Sequence, residues 1–241
     1  MYHTPALVPF YLVVDVSQSM EGPRLAQANQ ILRKLAAALS ADPRANDKVR
    51  ICMIDFSGSA RVVLPLCDLL NTSALPTLKT RDDGTRYSPA LDLLLKTINQ
   101  DGRQLAADGF AVGRPAAFFL SDGEPFDDAP NAWEQALGRL LTTCENPPMI
   151  VPCAIAESDP ATLRALAHPR PGTPVLIQSA DARPEDAINA LIDVVIRTVL
   201  SSADQETAVF TQVDDLSELQ TVIAEPPEEW LTETPGADGR R

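Results

Sequence analysis

The chain has 241 residues, 45 % of them hydrophobic, enough to bury one substantial core and leave a tail. A net charge of −13 argues against a binder of nucleic-acid phosphates or anionic membrane surfaces. The first apolar run has no Lys or Arg ahead of it and ends in Asp15, so it reads as neither signal peptide nor membrane span, and a cytoplasmic location is expected.

Phe10 to Val14 is a short continuous apolar run, the pattern of a strand buried on both faces in a parallel sheet. Asp15, Ser17 and Ser19 follow where that strand ends. Their oxygens form a set of hard ligands suited to Mg²⁺ or Mn²⁺, although Asp and Ser at such a junction also cap helices and bond turns. Arg24 to Leu39 carries apolar residues at three- and four-residue steps and predicts one amphipathic helix, ended by Asp42-Pro43. Lys48 to Phe56 predicts a second buried strand. Arg61 to Leu66 follows so closely that it should return antiparallel at a sheet edge.

Asn71 to Asp83 reads as loop. Ser88-Pro89 then opens a helix with Ser88 as N-cap and with Leu91, Leu94, Leu95 and Ile98 on its apolar face. Ala116 to Leu120 predicts another buried strand, ending in Ser121-Asp122-Gly123-Glu124-Pro125. A helix from about Pro130, a strand over 149–156, a short helix from Asp159-Pro160, a strand over 175–178 and a helix over 184–200 complete an alternating pattern. That pattern predicts a Rossmann-like, doubly wound α/β domain over 1–203, mostly parallel with one antiparallel edge strand and helices on both faces. Residues 204–241 hold ten acids against two arginines and read as an acidic tail, partly disordered, with a small docking element near 216–223. Four cysteines show no C-x-x-C spacing, and Cys52 and Cys153 read as buried free thiols.

In such a sheet, ligands bind at the carboxyl ends of the strands. There Asp15, Ser17, Ser19, Thr85 and Asp122 should meet: two carboxylates and three hydroxyls, suited to a Mg²⁺ that keeps one open position. The motif Asp15-x-Ser17-x-Ser19, with Thr85 and with Ser121-Asp122-Gly123, resembles the metal-ion-dependent adhesion site of von Willebrand factor type A domains. The resemblance covers about residues 8 to 200. It implies direct metal binding by Ser17, Ser19 and Thr85, and direct or water-mediated binding by Asp15 and Asp122. It also implies a protein partner presenting an Asp or Glu carboxylate. Asp122-Gly123-Glu124-Pro125 resembles the bacterial TerY-like branch, linked to tellurite resistance and stress response and encoded beside protein kinases and PP2C-type phosphatases. Two positions depart from the family's usual glycines, Gln18 and Asp83, and neither is a ligand.

Glu21, Arg24, Arg86, Glu124, Asp127 and Asp128 should rim this site and select partners, unless they are only a solvated loop. A phosphoryl-transfer enzyme is the alternative, but Ser17 stands where a haloacid-dehalogenase-type phosphatase would need a second Asp. No nucleotide motif occurs, and His3 and His168 are not placed as general bases. The expectation is an interaction module without catalysis. A further alternative is a self-assembling module whose tail, through Glu228 or Glu229, occupies the domain's own site.

Overall fold

The computed structural model describes residues 4–81, 84–155, 160–170, 172–210 and 217–223. Its sheet contains β1 (Ala6–Asp15), β2 (Val49–Phe56), β3 (Ala60–Cys67), β4 (Ala111–Val112), β5 (Ala116–Ser121), β6 (Met149–Ala154), β7 (Pro174–Gln178) and β8 (Leu219–Ile223). Their order is β3-β2-β1-β5-β6-β7-β8, with β4 alongside the first residues of β1. Strands β2, β1, β5, β6 and β7 are mutually parallel. The chain leaves β1 toward β2 on one side and returns to β5 on the other, so the carboxyl ends of β1 and β5 form the switch point where the connecting loops diverge.

The helices are α1 (Pro23–Ala28), α2 (Ile31–Ala41), α3 (Pro43–Lys48), α4 (Tyr87–Ala107), α5 (Ala132–Thr143), α6 (Pro160–Leu166) and α7 (Pro184–Gln205). Strand alternation splits β1 between two cores. Phe10, Leu12 and Val14 pack with Leu32, Leu35 and Leu39 of α2 and with Ile188, Leu191 and Val195 of α7. Tyr11 and Val13 pack on the other face with Leu91 and Leu94 of α4, Ala136 and Leu140 of α5 and Leu163 of α6. Every residue of β1 except Ala6 is buried, the outcome its unbroken apolar run predicts. All four cysteines are free thiols, and Cys52 and Cys153 are buried.

Three expectations are corrected. The helix expected over 24–39 is two helices, with Asn29 in the turn between them. Its amide donates to Leu78 O at 3.2 Å and accepts from Leu78 N at 2.7 Å, tying down the 71–81 loop. Ser88 is not the N-cap of α4, which begins at Tyr87; the Ser88 N–H and hydroxyl both donate to Asp127 from a distant loop. Antiparallel strands close both edges of the sheet, β3 on β2 and β8 on β7, where only the first was expected. α7 runs on to Gln205, and Leu219–Ile223, within the docking element expected near 216–223, pairs along the whole of β7. Residues 224–241 lie outside the described residues.

Leu219 of β8 is 5 % exposed and belongs to the core under α7. Ending the chain at Gln205 should therefore lower the unfolding free energy by at least the about 1.5–3 kcal/mol that burying one such side chain contributes. Urea denaturation measures it, and an unchanged midpoint would show that β8 adds nothing.

Candidate metal centre

β1 ends inside the protein on a carboxylate with no exposed surface, Asp15. Its Oδ1 accepts from Ser17 N at 2.8 Å, which folds the chain back at the strand's end. Its Oδ2 accepts from Ser121 Oγ at 2.7 Å, which joins β1 to the last residue of β5. Burial pushes the Asp15 carboxyl up to about 6, against the pull of these hydrogen bonds in the opposite direction.

Beyond Asp15, the 3₁₀ turn Gln18–Met20 brings Ser17 and Ser19 together, their hydroxyl oxygens 3.0 Å apart. Ser19 Oγ donates to Asp122 Oδ1 at 2.7 Å. The Asp122 side chain is fully buried, and its Oδ2 accepts from an Arg24 guanidinium nitrogen at 2.6 Å. The same nitrogen donates to Ser19 O at 2.9 Å. Gly22, with φ of 85°, makes the sharp entry to α1 that turns Arg24 toward the site.

Thr85 follows Gly84, whose φ of 86° a side chain would strain. Backbone bonds stitch this loop to its neighbours: Arg81 N to Val16 O at 2.8 Å, Arg86 N to Ser57 O at 2.9 Å, and Phe126 N to Thr85 O at 2.6 Å. A Cβ built on Gly123 would lie 3.7 Å from Thr85 Oγ1, so the Thr85 hydroxyl faces the backbone that follows Asp122. The three expected segments therefore meet at the carboxyl ends of β1 and β5.

Among the described residues no three His, Cys, Asp or Glu side chains gather as a metal cluster, so any cation here relies on hydroxyls to complete two carboxylates. The donor set fits a hard cation. Neighbouring oxygens around Mg²⁺, at about 2.0–2.1 Å from the metal, are about 3 Å apart. Ser17 Oγ–Ser19 Oγ at 3.0 Å and Ser19 Oγ–Asp122 Oδ1 at 2.7 Å are close to that edge length.

The expected rim divides. Glu124 is exposed, and Asp128 pairs with Arg86 at 2.7 Å. Glu21 is exposed and accepts from Gln18 at 2.9 Å. Two members are not rim groups. Arg24 is bonded into the site itself, and Asp127 caps α4 through Ser88, its second oxygen buried without a hydrogen-bond partner among the described residues.

One cluster goes unread in the sequence. Asp55, fully buried in β2, accepts from Arg61 at 2.9–3.1 Å and from Arg81 at 3.0 Å. Arg81 also donates to Ser59 Oγ at 2.8 Å and Ser59 O at 2.9 Å, fixing the loop that leads to Thr85 against the β2–β3 turn. An acid inside the apolar run Ile51-Cys52-Met53-Ile54-Asp55-Phe56 was the available signal, because a carboxylate buried there needs a partner.

Residues 10–124 match the family model of the von Willebrand factor type A domain. The fold is shared by a von Willebrand factor type A protein of Catenulispora acidiphila, with a TM-score of 0.54 at 17 % identity over 81 % of this chain and 43 % of that one. It is shared by proximal thread matrix protein 1 of the mussel byssus, with 0.56 at 11 % identity over 81 % and 48 %. The pilus adhesin SpaC of Lactobacillus rhamnosus GG gives 0.59 at 15 % identity over 82 % and 30 %. The chain thus spans less than half the length of each of these proteins. Among curated proteins none matches it. The family match thus takes in just under half of this chain, and the likeness to the solved structures extends the shared fold to about four fifths of it.

Asp55→Ala should destabilise the fold by about 3 kcal/mol, because it strands the mostly buried Arg81. Arg61→Ala, at a side chain 55 % exposed, should cost under about 1 kcal/mol. Urea denaturation of both variants measures the contrast, and equal losses would show that Arg81 is not the partner that matters.

Proposed function

We propose that this chain is a divalent-metal-dependent protein-interaction module whose partner presents an Asp or Glu carboxylate. The observation that carries the reading is the convergence of two buried carboxylates, Asp15 and Asp122, with the Ser17 and Ser19 hydroxyls at metal-edge distances. In this reading Ser17, Ser19 and Thr85 hold Mg²⁺ or Mn²⁺ directly, and Asp15 and Asp122 hold it directly or through water. The bound ion would supply an open position for the partner's carboxylate.

The rest is the work of the chain's own residues. Ser121 and Ser17 N orient Asp15, Arg24 orients Asp122, and the hydroxyls contribute no charge. These residues would therefore leave a bound cation under-neutralised, so that one more anion is favourable there. Arg24 sharpens this, since its guanidinium already offsets the charge of Asp122.

Binding without catalysis is our reading of the chemistry. His168 bonds backbone-to-backbone with Ile150, near the start of β6, at the end of the sheet away from Asp15. The fold commonly mediates protein–protein interaction, and one of the structures sharing it is described as a pilus adhesin. A cytoplasmic setting is also proposed; among the described residues no helix is long and apolar enough to cross a membrane. The likeness of Asp122-Gly123-Glu124-Pro125 to the TerY-like branch supports a bacterial stress-response or tellurite-resistance context. On that footing a protein kinase or PP2C-type phosphatase encoded nearby is the first partner to try.

Calorimetric titration with Mn²⁺ and Mg²⁺ tests the site. Binding should vanish in Asp15→Ala, and capture of a kinase or phosphatase partner should require Mg²⁺ and fail in EDTA. Metal binding that survives Asp15→Ala would sink the reading. Arg24→Gln should tighten metal binding about tenfold, about 1.4 kcal/mol, because the guanidinium bonded to Asp122 would oppose a cation held by the same carboxylate. Weaker or unchanged binding would show that Arg24 serves only to position Asp122.

A further inference from the structure

Phe126 is the most exposed large apolar side chain among the described residues, at 81 %, against 40 % for Leu70 and 36 % for Val62. Its exposure does not come from a loose loop. Phe126 N donates to Thr85 O at 2.6 Å, Tyr87 Oη donates to Gly123 O at 2.9 Å, and Asp127 accepts from Ser88 N at 3.0 Å. The backbone is thus pinned before, at and after the ring, and little ordering entropy remains to be lost when a partner covers it. An aromatic ring held rigidly in water gains nothing within the chain, and such groups are typical anchors of protein interfaces.

Its place determines what covers it. Phe126 is one hydrogen bond from Thr85, a member of the candidate ligand set. A partner segment that puts a carboxylate into the site must lay its adjoining residues over 124–128. The exposed acid Glu124 stands beside Phe126 there and repels a second acidic residue, whereas Asp128 on the other side is paired with Arg86. We infer that the partner is an extended protein segment in which an aliphatic or aromatic side chain stands within one to three residues of the coordinating Asp or Glu, and that Phe126 receives it. The inference rests on the metal-dependent reading above and adds a second, apolar determinant to it.

The chain's own Glu228-Glu229-Trp230-Leu231, outside the described residues, has this chemistry, but its reach within one molecule is short. β8 stands four strand positions from β1, about 19 Å at about 4.8 Å per strand. Ile223 pairs with Pro174, at the end of β7 away from the site. The five or six residues from Ile223 to Glu228 or Glu229 span at most about 18–22 Å, too little to pass around the sheet. Two copies at −13 each also repel, so a different protein is the occupant that fits.

An array of synthetic dodecapeptides tests this, each with a central Glu or Gln and varied neighbours, read with the full chain in Mg²⁺ and in EDTA. Binding should require both Glu and Mg²⁺, and should favour Leu, Ile, Phe or Trp over Ser or Asp by about tenfold at one neighbouring position. Phe126→Ser should erase that preference while Mn²⁺ affinity and the Glu requirement persist. Mg²⁺- and Glu-dependent binding with no apolar preference, or with a preference that Phe126→Ser leaves intact, overturns the inference and spares the metal-site reading. Absence of any Mg²⁺- and Glu-dependent binding overturns both. Dominance of a peptide spanning 224–235 overturns the choice of occupant in favour of a second copy.

Discussion

The architecture around the site depends on one carboxylate that has been carried out of water. Asp15 ends β1, an interior strand, with no exposed surface, and nothing cationic pairs with it among its hydrogen-bond partners in the described residues. A buried, ionised acid is costly unless its oxygens are satisfied. Here one oxygen is met by the turn that carries Ser17 and Ser19, the other by the hydroxyl at the end of β5. Those two bonds place the first hydroxyls and align the strand that delivers Asp122. The constraint that makes Asp15 expensive is the one that assembles its neighbours.

Three carboxylates at this end of the sheet are handled in three ways. Asp55, opposite Val14 in the adjacent strand, is enclosed by two guanidinium groups and serves as a structural tie. Asp122 is shared between one guanidinium and one hydroxyl. Asp15 has only neutral donors among the described residues, and burial leaves it readier to hold a proton than an ordinary carboxylate. Positive charge is therefore supplied generously on the β2 side, once at Asp122, and not at all at Asp15. That gradient points toward the space between Asp15, Ser19 and Asp122 as the place where further positive charge is most favourable.

Much of this was readable along the chain, and the reason is locality. The unbroken apolar run before Asp15, the alternate placement of Ser17 and Ser19, and the Ser-Asp-Gly at the end of β5 are each set by neighbours in sequence. What escaped was decided across long distances. Asn29 in the turn after α1 bonds to Leu78, the cap of α4 comes from Asp127 some forty residues away, and Arg81 is committed to Asp55 in another strand. Leu219–Ile223 read as a docking element but not as a strand, because five residues with mixed polarity become a strand only when β7 offers an edge. Local pattern picks out the candidate ligands, and tertiary pairing decides what holds those side chains still.

The strand order has a consequence for how the sheet comes to be made. β1, the first strand in the chain, lies inside the sheet, with β2 and β3 added outward on one side and β5 through β8 added in turn on the other. As the chain emerges from a ribosome, each new strand meets an edge that already exists, and none of these additions must open a finished pair to enter. Pairing β1 with β5 spans about a hundred residues, a closure that is slow by contact order. Early β1–β2 pairing shelters one flank of that apolar strand through the wait.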